Sequence, residues 1–327
     1  MKKRILFIGS LVLLLAVIGY MVKDLFFTEP DRSANQYDYG LSELRKNDSA
    51  GVAYQEIRHF TPGLEDIYGI ATDPADRIFV SGAGGVEIFT SEGRLIHKFP
   101  FEEAVRCITV APNGNLLLGM QDHVEIMTPD GKTLHRWNPV SEQSILTSIA
   151  TNGHDIFVAD AGKKVVYRYD ESGNLVNRIG EKDTANGIPG FIVPSPWFDL
   201  RIGRDDELWV VNPGRHLLEA FTPDGKIISS WGKSSMQADG FCGCCNPSNF
   251  ALLSNGSFVT SEKGIERVKV SLPSGEFTCL VAAPNQFETG TKGLDLVVDS
   301  RDRILVLDPW KKQVRIFVSK TNAFNKE

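Results

Sequence analysis

The chain has 327 residues, 42% of them hydrophobic and 23% charged, with a formal net charge of −6. That balance excludes a mainly disordered chain, and the acidic surplus argues against a general nucleic-acid binder, whose binding domain is normally basic. Thirty Gly and sixteen Pro are too few for a collagen-like or low-complexity chain but enough for many turns, and five Cys fall far below the density of a disulfide scaffold.

Met1-Lys2-Lys3-Arg4 precede an uncharged apolar run over residues 5–22, and Lys23-Asp24 follow it. Eighteen such residues are the lower limit for a membrane-spanning helix. The order of charges keeps the N-terminus cytoplasmic and sends the rest of the chain across. A cleaved signal peptide is the rival, but the run is long for a signal's apolar region and no clear small-residue cleavage site follows. Both readings export the body. The expectation is an all-β body preceded by one transmembrane helix: an anchor over 1–24, a polar tether over 25–52, and a single-pass protein whose body is periplasmic or extracellular.

From residue 53 to about 320 one plan recurs: a short apolar strand, a turn, two more strands, then an X-Gly turn and a fourth. Ile70-Ala71-Thr72-Asp73, Ile78-Phe79-Val80 and Val86-Glu87-Ile88-Phe89 carry the first copy. Later copies centre on Leu116-Leu117-Leu118, Ile156-Phe157-Val158, Leu208-Trp209-Val210 and Phe258-Val259-Thr260. The turn glycines Gly93, Gly131, Gly173, Gly225 and Gly275 lie 38 to 52 residues apart. X-Gly between alternating strands signals a hairpin, and four strands every ~45 residues is the period of a β-propeller blade. A sixth copy, Leu294 to Phe317, lacks its fourth strand. Glu56-Ile57-Arg58-His59-Phe60 matches the other fourth strands, so it is expected to complete blade six and remove an open sheet edge. The body is then one six-bladed propeller with a short tail over 321–327.

The repeat text resembles the NHL family in Ile70-Ala71-Thr72-Asp73 with Ile78-Phe79-Val80, in Ile156-Phe157-Val158-Ala159-Asp160, and in Ile304-Leu305-Val306-Leu307-Asp308 followed by Val314-Arg315-Ile316-Phe317. Blades two and five depart from the pattern, with Gly119 and Ser261 read at the usual Asp position. The resemblance implies a propeller that binds or scaffolds, and the N-terminal run makes this one a membrane-anchored, exported member. It also admits an amidating-lyase type with a channel metal, and related lactonases with a channel calcium. Fold alone does not choose among these.

The loops between second and third strands share a face with the blade connections. Two connections are long, residues 181–196 and 233–249, and insertions on one face of a repeat protein mark its binding face. Candidate binding residues there are Lys163, Lys164, Arg215, His216, Lys263, Trp310, Lys311 and Lys312, a basic rim suited to an envelope protein or an anionic ligand. Trp310 is the surface anchor. Asp122, Asp160, Glu262 and Asp308 stand against this charge. Asp160, Asn212, Glu262 and Asp308 fall at equivalent positions and form a candidate oxygen site for Ca. The structural alternative is that such residues hold the loop backbone. Cys242, Cys244 and Cys245 share one loop. They are expected to clamp it by a disulfide, with a soft-metal site for Zn or Cu, using His216 or His123, or a redox pair as alternatives. His59, His97 and His135 align on outer strands and are poorly placed for a channel metal. No G-x-S-x-G, H-E-x-x-H or P-loop motif occurs. The primary expectation is a binding or scaffold role through the loop face; the second is a metal-dependent hydrolase or lyase in the channel; the third is redox or metal handling at the Cys loop.

Overall fold

A computed structural model describes residues 13–15, 17–19, 51–185, 188–243 and 245–323. Its backbone divides into a short N-terminal unit, Met1–Glu43, and the body, Leu44–Glu327. In the N-terminal unit, 13–15 and 17–19 are helical. No helix among the described residues is long and apolar enough to cross a membrane. Most of the apolar run at 5–22 lies outside the described residues, and so does the tether up to residue 50.

The body is a β-propeller. Among the described residues, twenty-four strands form six four-stranded antiparallel sheets. Blade one is β2 (Asp66–Thr72), β3 (Ile78–Ala83), β4 (Gly85–Phe89) and β5 (Leu95–Pro100). Blade two is β6 (Cys107–Val110), β7 (Leu116–Gly119), β8 (Val124–Met127) and β9 (Thr133–Arg136). Blade three is β10 (Leu146–Thr151), β11 (Asp155–Asp160), β12 (Val165–Asp170) and β13 (Leu175–Ile179). Blade four is β14 (Leu200–Ile202), β15 (Leu208–Asn212), β16 (Leu217–Phe221) and β17 (Ile227–Trp231). Blade five is β18 (Asn249–Leu252), β19 (Phe258–Glu262), β20 (Arg267–Ser271) and β21 (Phe277–Ala282). Blade six is β22 (Asp295–Val298), β23 (Ile304–Asp308) and β24 (Gln313–Ser319), completed by β1 (Tyr54–Phe60).

The closure expected from the sequence is present. β1 runs antiparallel to β24, with Gln55 opposite Val318 and Phe60 opposite Val314. The Glu56 carboxylate accepts from Arg315 Nη2 at 2.6 Å and Nε at 3.0 Å. Leu305, Leu307, Val314 and Ile316 of blade six then pack with Ile67, Ile70, Ile78 and Val80 of blade one, which shuts the ring.

Burial explains the strand text. Second strands such as β3, β11 and β23 are covered by neighbouring blades on both faces, so they read as continuous apolar runs. Fourth strands such as β5, β9 and β17 lie on the rim and are mostly exposed. An aromatic side chain at or just after the fourth strand packs over the turn glycine of the next blade: Phe60 on Gly93, Phe99 on Gly131, Trp137 on Gly173, Trp231 on Gly275. At Gly93 the backbone has φ +79°, and a Cβ would lie 2.4 Å from the Phe60 ring, so both conformation and space require glycine.

Candidate functional site

The first strands surround the axis, each touching the next from β2 through β6, β10, β14, β18 and β22 and back to β2. One position of each strand forms a ring. Register against the second strands identifies it as Gly69, Cys107, Ser148, Asp199, Asn249 and Asp295. Arg201, two residues beyond Asp199, is the large charged residue of the neighbouring ring, whose other members are Ala71, Thr109, Ala150, Ala251 and Val297.

Arg201 fills this space. Its Nη1 donates to Asp199 Oδ1 at 2.5 Å, Ser148 Oγ at 3.1 Å and the Leu200 carbonyl at 2.8 Å. Its Nη2 donates to Asp295 Oδ1 at 3.4 Å and the Leu296 carbonyl at 3.2 Å. The carboxylates are occupied elsewhere too. Asp199 accepts from Ser148 Oγ and from the backbone of Leu200 and Phe250. Asp295 accepts from the backbone of Ile70 and Leu296 and from Asn249 Nδ2. Every carboxylate oxygen of the pair is thus in use, and the cation between them is a guanidinium. Burial and the neighbouring Asp199 charge push the Asp295 carboxyl up to about 6, against the pull of Arg201. Asp199, Arg201 and Asp295 lie on or directly before first strands, outside the loops that the sequence marks as candidate sites. The available signal was a polar residue directly before an apolar one near the start of the first strand in blades three to six: Ser148, Asp199, Asn249 and Asp295.

The four residues read as a channel oxygen site stand apart, each serving its own blade. Asp160 Oδ1 accepts from the backbone N–H of Ile145 and Lys163, both at 3.0 Å. Asn212 accepts from Ile192 N–H and donates to Glu219. Glu262 binds Arg267 and Lys269 and accepts from Cys242 N–H. Asp308 accepts from Lys311 N–H and faces Arg315 at 3.5 Å. In blades three to five the position ties the preceding connection, at Ile145, Ile192 and Cys242, to the blade's own turn at Lys163 or its third strand at Glu219, Arg267 and Lys269. Its occupants in blades two and five also need correcting. Gly119 pairs with Cys107 and Ser261 with Asn249, as Ala159 pairs with Ser148, so the Asp position belongs to Met120 and Glu262.

On the loop face the basic residues divide. Lys163 Nζ donates to Gln143 Oε1 at 2.9 Å. Lys263 bends down to Ser195 Oγ at 2.8 Å and lies over the Trp197 ring. Lys312 is held by the Glu65 carbonyl and Asp66. His216 faces the Asn246 carbonyl through Nδ1 at 3.2 Å. Lys164, His216 and Lys312 share a left-handed backbone, φ +52° to +60°, so one turn shape presents these side chains in three blades. Lys164, Arg215 and Lys311 have no side-chain partner among the described residues, and Trp310 is 60% exposed. Arg215 edges a cleft of about 810 Å³ between blades three and four, walled by Ile188, Pro189 and Phe191 of the long 181–196 insertion.

The Cys loop is held by charge. No disulfide joins the described cysteines, and Cys244 lies outside the described residues. Cys242 and Cys245 are buried. Asn246 donates to the carbonyls of Cys242 and Lys263 and accepts from Lys263 N–H. Burial, followed by the Glu262 charge, pushes the Cys242 thiol up to about 11. A thiol so raised is a poor thiolate nucleophile.

No protein-family model and no curated protein matches the chain, so the NHL resemblance stands on the repeat text alone. Solved structures do match. A streptogramin B lyase superposes with a TM-score of 0.57 at 12% identity, over 82% of this chain and 98% of that one. Virginiamycin B lyase from Staphylococcus aureus gives 0.53 at 15% identity, over 79% and 82%. A protein of unknown function from Bacteroides thetaiotaomicron gives 0.56 at 12%, over 82% and 72%. At these identities the likeness is one of fold.

Proposed function

We propose that the chain is a binding propeller that engages an acidic protein or another anionic partner through its loop face. One contrast carries this reading. The channel's charges are paired with one another, whereas Lys164, Arg215 and Lys311, in the second-to-third-strand turns of blades three, four and six, have no side-chain partner among the described residues, and Lys311 adjoins an exposed Trp310. Free cations spread over one face suit an anionic partner, and the exposed tryptophan at its blade-six edge suits a hot spot. The cleft beside Arg215 runs down the side of blade four from this face to the turn at Asp224–Lys226, with Ile188, Pro189 and Phe191 as its apolar wall. Anchoring by residues 5–22, with export of the body, belongs to this proposal. Its support is the basic cluster ahead of the apolar run.

The second reading, a metal-dependent lyase in the channel, draws on the two lyase neighbours. Saturation of Asp199 and Asp295 by hydrogen bonds weighs against it. The deciding experiment is affinity purification of the tagged full-length chain from crosslinked cells. The expected result is a partner enriched with wild type and lost with Lys164→Glu, Arg215→Glu and Lys311→Glu combined, at unchanged thermal midpoint. Equal enrichment with both proteins would overturn the reading.

A further inference from the structure

At blade two, the third-strand position that carries Glu87 in blade one is Glu125, with Tyr167, Glu219, Lys269 and Arg315 in the later blades. Where it is charged, the neighbouring groups usually satisfy it. Glu87 accepts from Gly63 N–H at 2.7 Å and meets Lys98 at 3.0 Å. Glu219 accepts from Asn212, Lys269 pairs with Glu262, and Arg315 faces Asp308. In blade two the complementing second-strand position is the apolar Met120, and a histidine enters instead.

His123 is 3% exposed, and its Nδ1 lies 2.9 Å from Asp122 Oδ1. With the Nδ1 proton donated to that carboxylate, Nε2 keeps its lone pair. Nε2 is buried, has no hydrogen-bond partner, and points at Glu125 Oε1, 3.6 Å away, and Glu103 Oε2, 4.0 Å away. A lone pair aimed at two carboxylates from inside the fold is repulsive, and either a proton on Nε2 or a metal cation between the three groups relieves it. Arg136, from β9, touches the same two oxygens at 3.3 and 3.4 Å, but its side chain is 62% exposed and can swing into water. Glu103 is partly exposed, which opens the group to the loop face.

We propose that His123 Nε2, Glu125 and Glu103 form a site for a divalent transition-metal cation such as Zn²⁺, with Asp122 orienting the imidazole. Tetrahedral zinc with bonds of about 2.0–2.2 Å sets its donors about 3.4 Å apart. His123 Nε2 stands 3.6 and 4.0 Å from the two carboxylates, and the 42% exposed Glu103 side chain has to turn inward to bring its oxygen within reach of both other donors. Imidazole with carboxylates is a zinc-compatible set, and the histidine–carboxylate pair behind it is the usual support. The site is independent of partner capture by the basic rim.

The test is isothermal titration of Zn²⁺ into the chelator-stripped full-length chain. One bound equivalent is expected, lost in His123→Gln. Asp122→Asn should bind 10–100-fold more weakly, and Arg136→Ala several-fold more tightly because a competing cation is gone. If His123→Gln does not fold, Glu103→Gln at the solvent edge replaces it, with at least tenfold weaker binding expected. Zinc affinity and stoichiometry unchanged in the folded variant, or no stoichiometric binding by wild type, would overturn the site.

Discussion

Arg201 of blade four reaches Asp295 of blade six, Nη2 to Oδ1 at 3.4 Å, while its Nη1 stays on Asp199 at 2.5 Å. One guanidinium therefore neutralises two carboxylates from blades that do not adjoin. Removing one member of a buried pair leaves an uncompensated charge, at a cost of about 3–5 kcal/mol. Arg201→Met should lower the unfolding free energy by that order, read as a lower urea midpoint. Adding Asp199→Asn and Asp295→Asn should return part of it, since the remaining charges are then gone. An unshifted midpoint in the single variant would show that the guanidinium holds nothing.

Asp295 also sets a pH dependence. Its folded-state carboxyl titrates at about 6, above the unfolded value, so between about pH 4 and 6 the folded state binds more protons than the unfolded one. Its contribution to stability is therefore greatest at the acid end and declines as pH rises through 6. Asp295→Asn removes this term. The stability difference between wild type and variant should move against wild type from pH 4 to pH 6.5, read from urea midpoints at each pH. A flat difference would contradict the assignment.

How much of this was legible in the sequence follows from how the residues reach one another. The blades were legible because their pairings are local: a hairpin repeats, and glycines such as Gly93 and Gly173 mark it. Even the closing strand was legible, since Phe60 repeats the role of Phe99. The channel network was not. Ser148, Asp199, Asn249 and Asp295 lie about one blade apart in sequence, each a single polar residue at a strand start, and only ring closure brings them together. His123 reads from the sequence as a candidate ligand for the Cys loop, and Glu125 as one residue of a strand; only the fold sets them together under the connection that carries Glu103. Equivalence by position was also a poor guide to convergence: Asp160, Asn212, Glu262 and Asp308 match one another and never meet.

Glu262 ties the Cys loop to blade five through Cys242 N–H and through buried Arg267 and Lys269. Burial opposes its charge, but Lys269 and Arg267 outweigh that and hold its carboxyl below the ordinary range. Glu262→Ala should release the loop and leave two buried cations short of a partner, costing several kcal/mol. Cys242 supplies a reporter. In wild type the buried, raised thiol should react slowly with an aromatic disulfide reagent at pH 8. In the variant it should react at least tenfold faster; equal rates would mean that another contact holds the loop.

The closing strand β1 depends on Glu56 in the same manner. Burial raises its carboxyl, but the hydrogen bond and charge of Arg315, with a smaller contribution from His59, bring it below the ordinary value. A lowered folded-state value means stabilisation present above the unfolded pKa and lost as pH falls through the folded one. Acid should therefore loosen this strand: the partner of β24 unpairs and an edge is exposed. Amide hydrogen exchange over residues 54–60, measured relative to the central strand β23 and corrected for intrinsic rates, should accelerate as pH falls below about 4. Glu56→Ala should show the faster exchange already at pH 7, by roughly tenfold or more for a lost charge-assisted pair of about 1.5–3 kcal/mol. If wild type and variant exchange alike at pH 7, the strand is retained by its ladder and by Phe60, and the ion pair is dispensable.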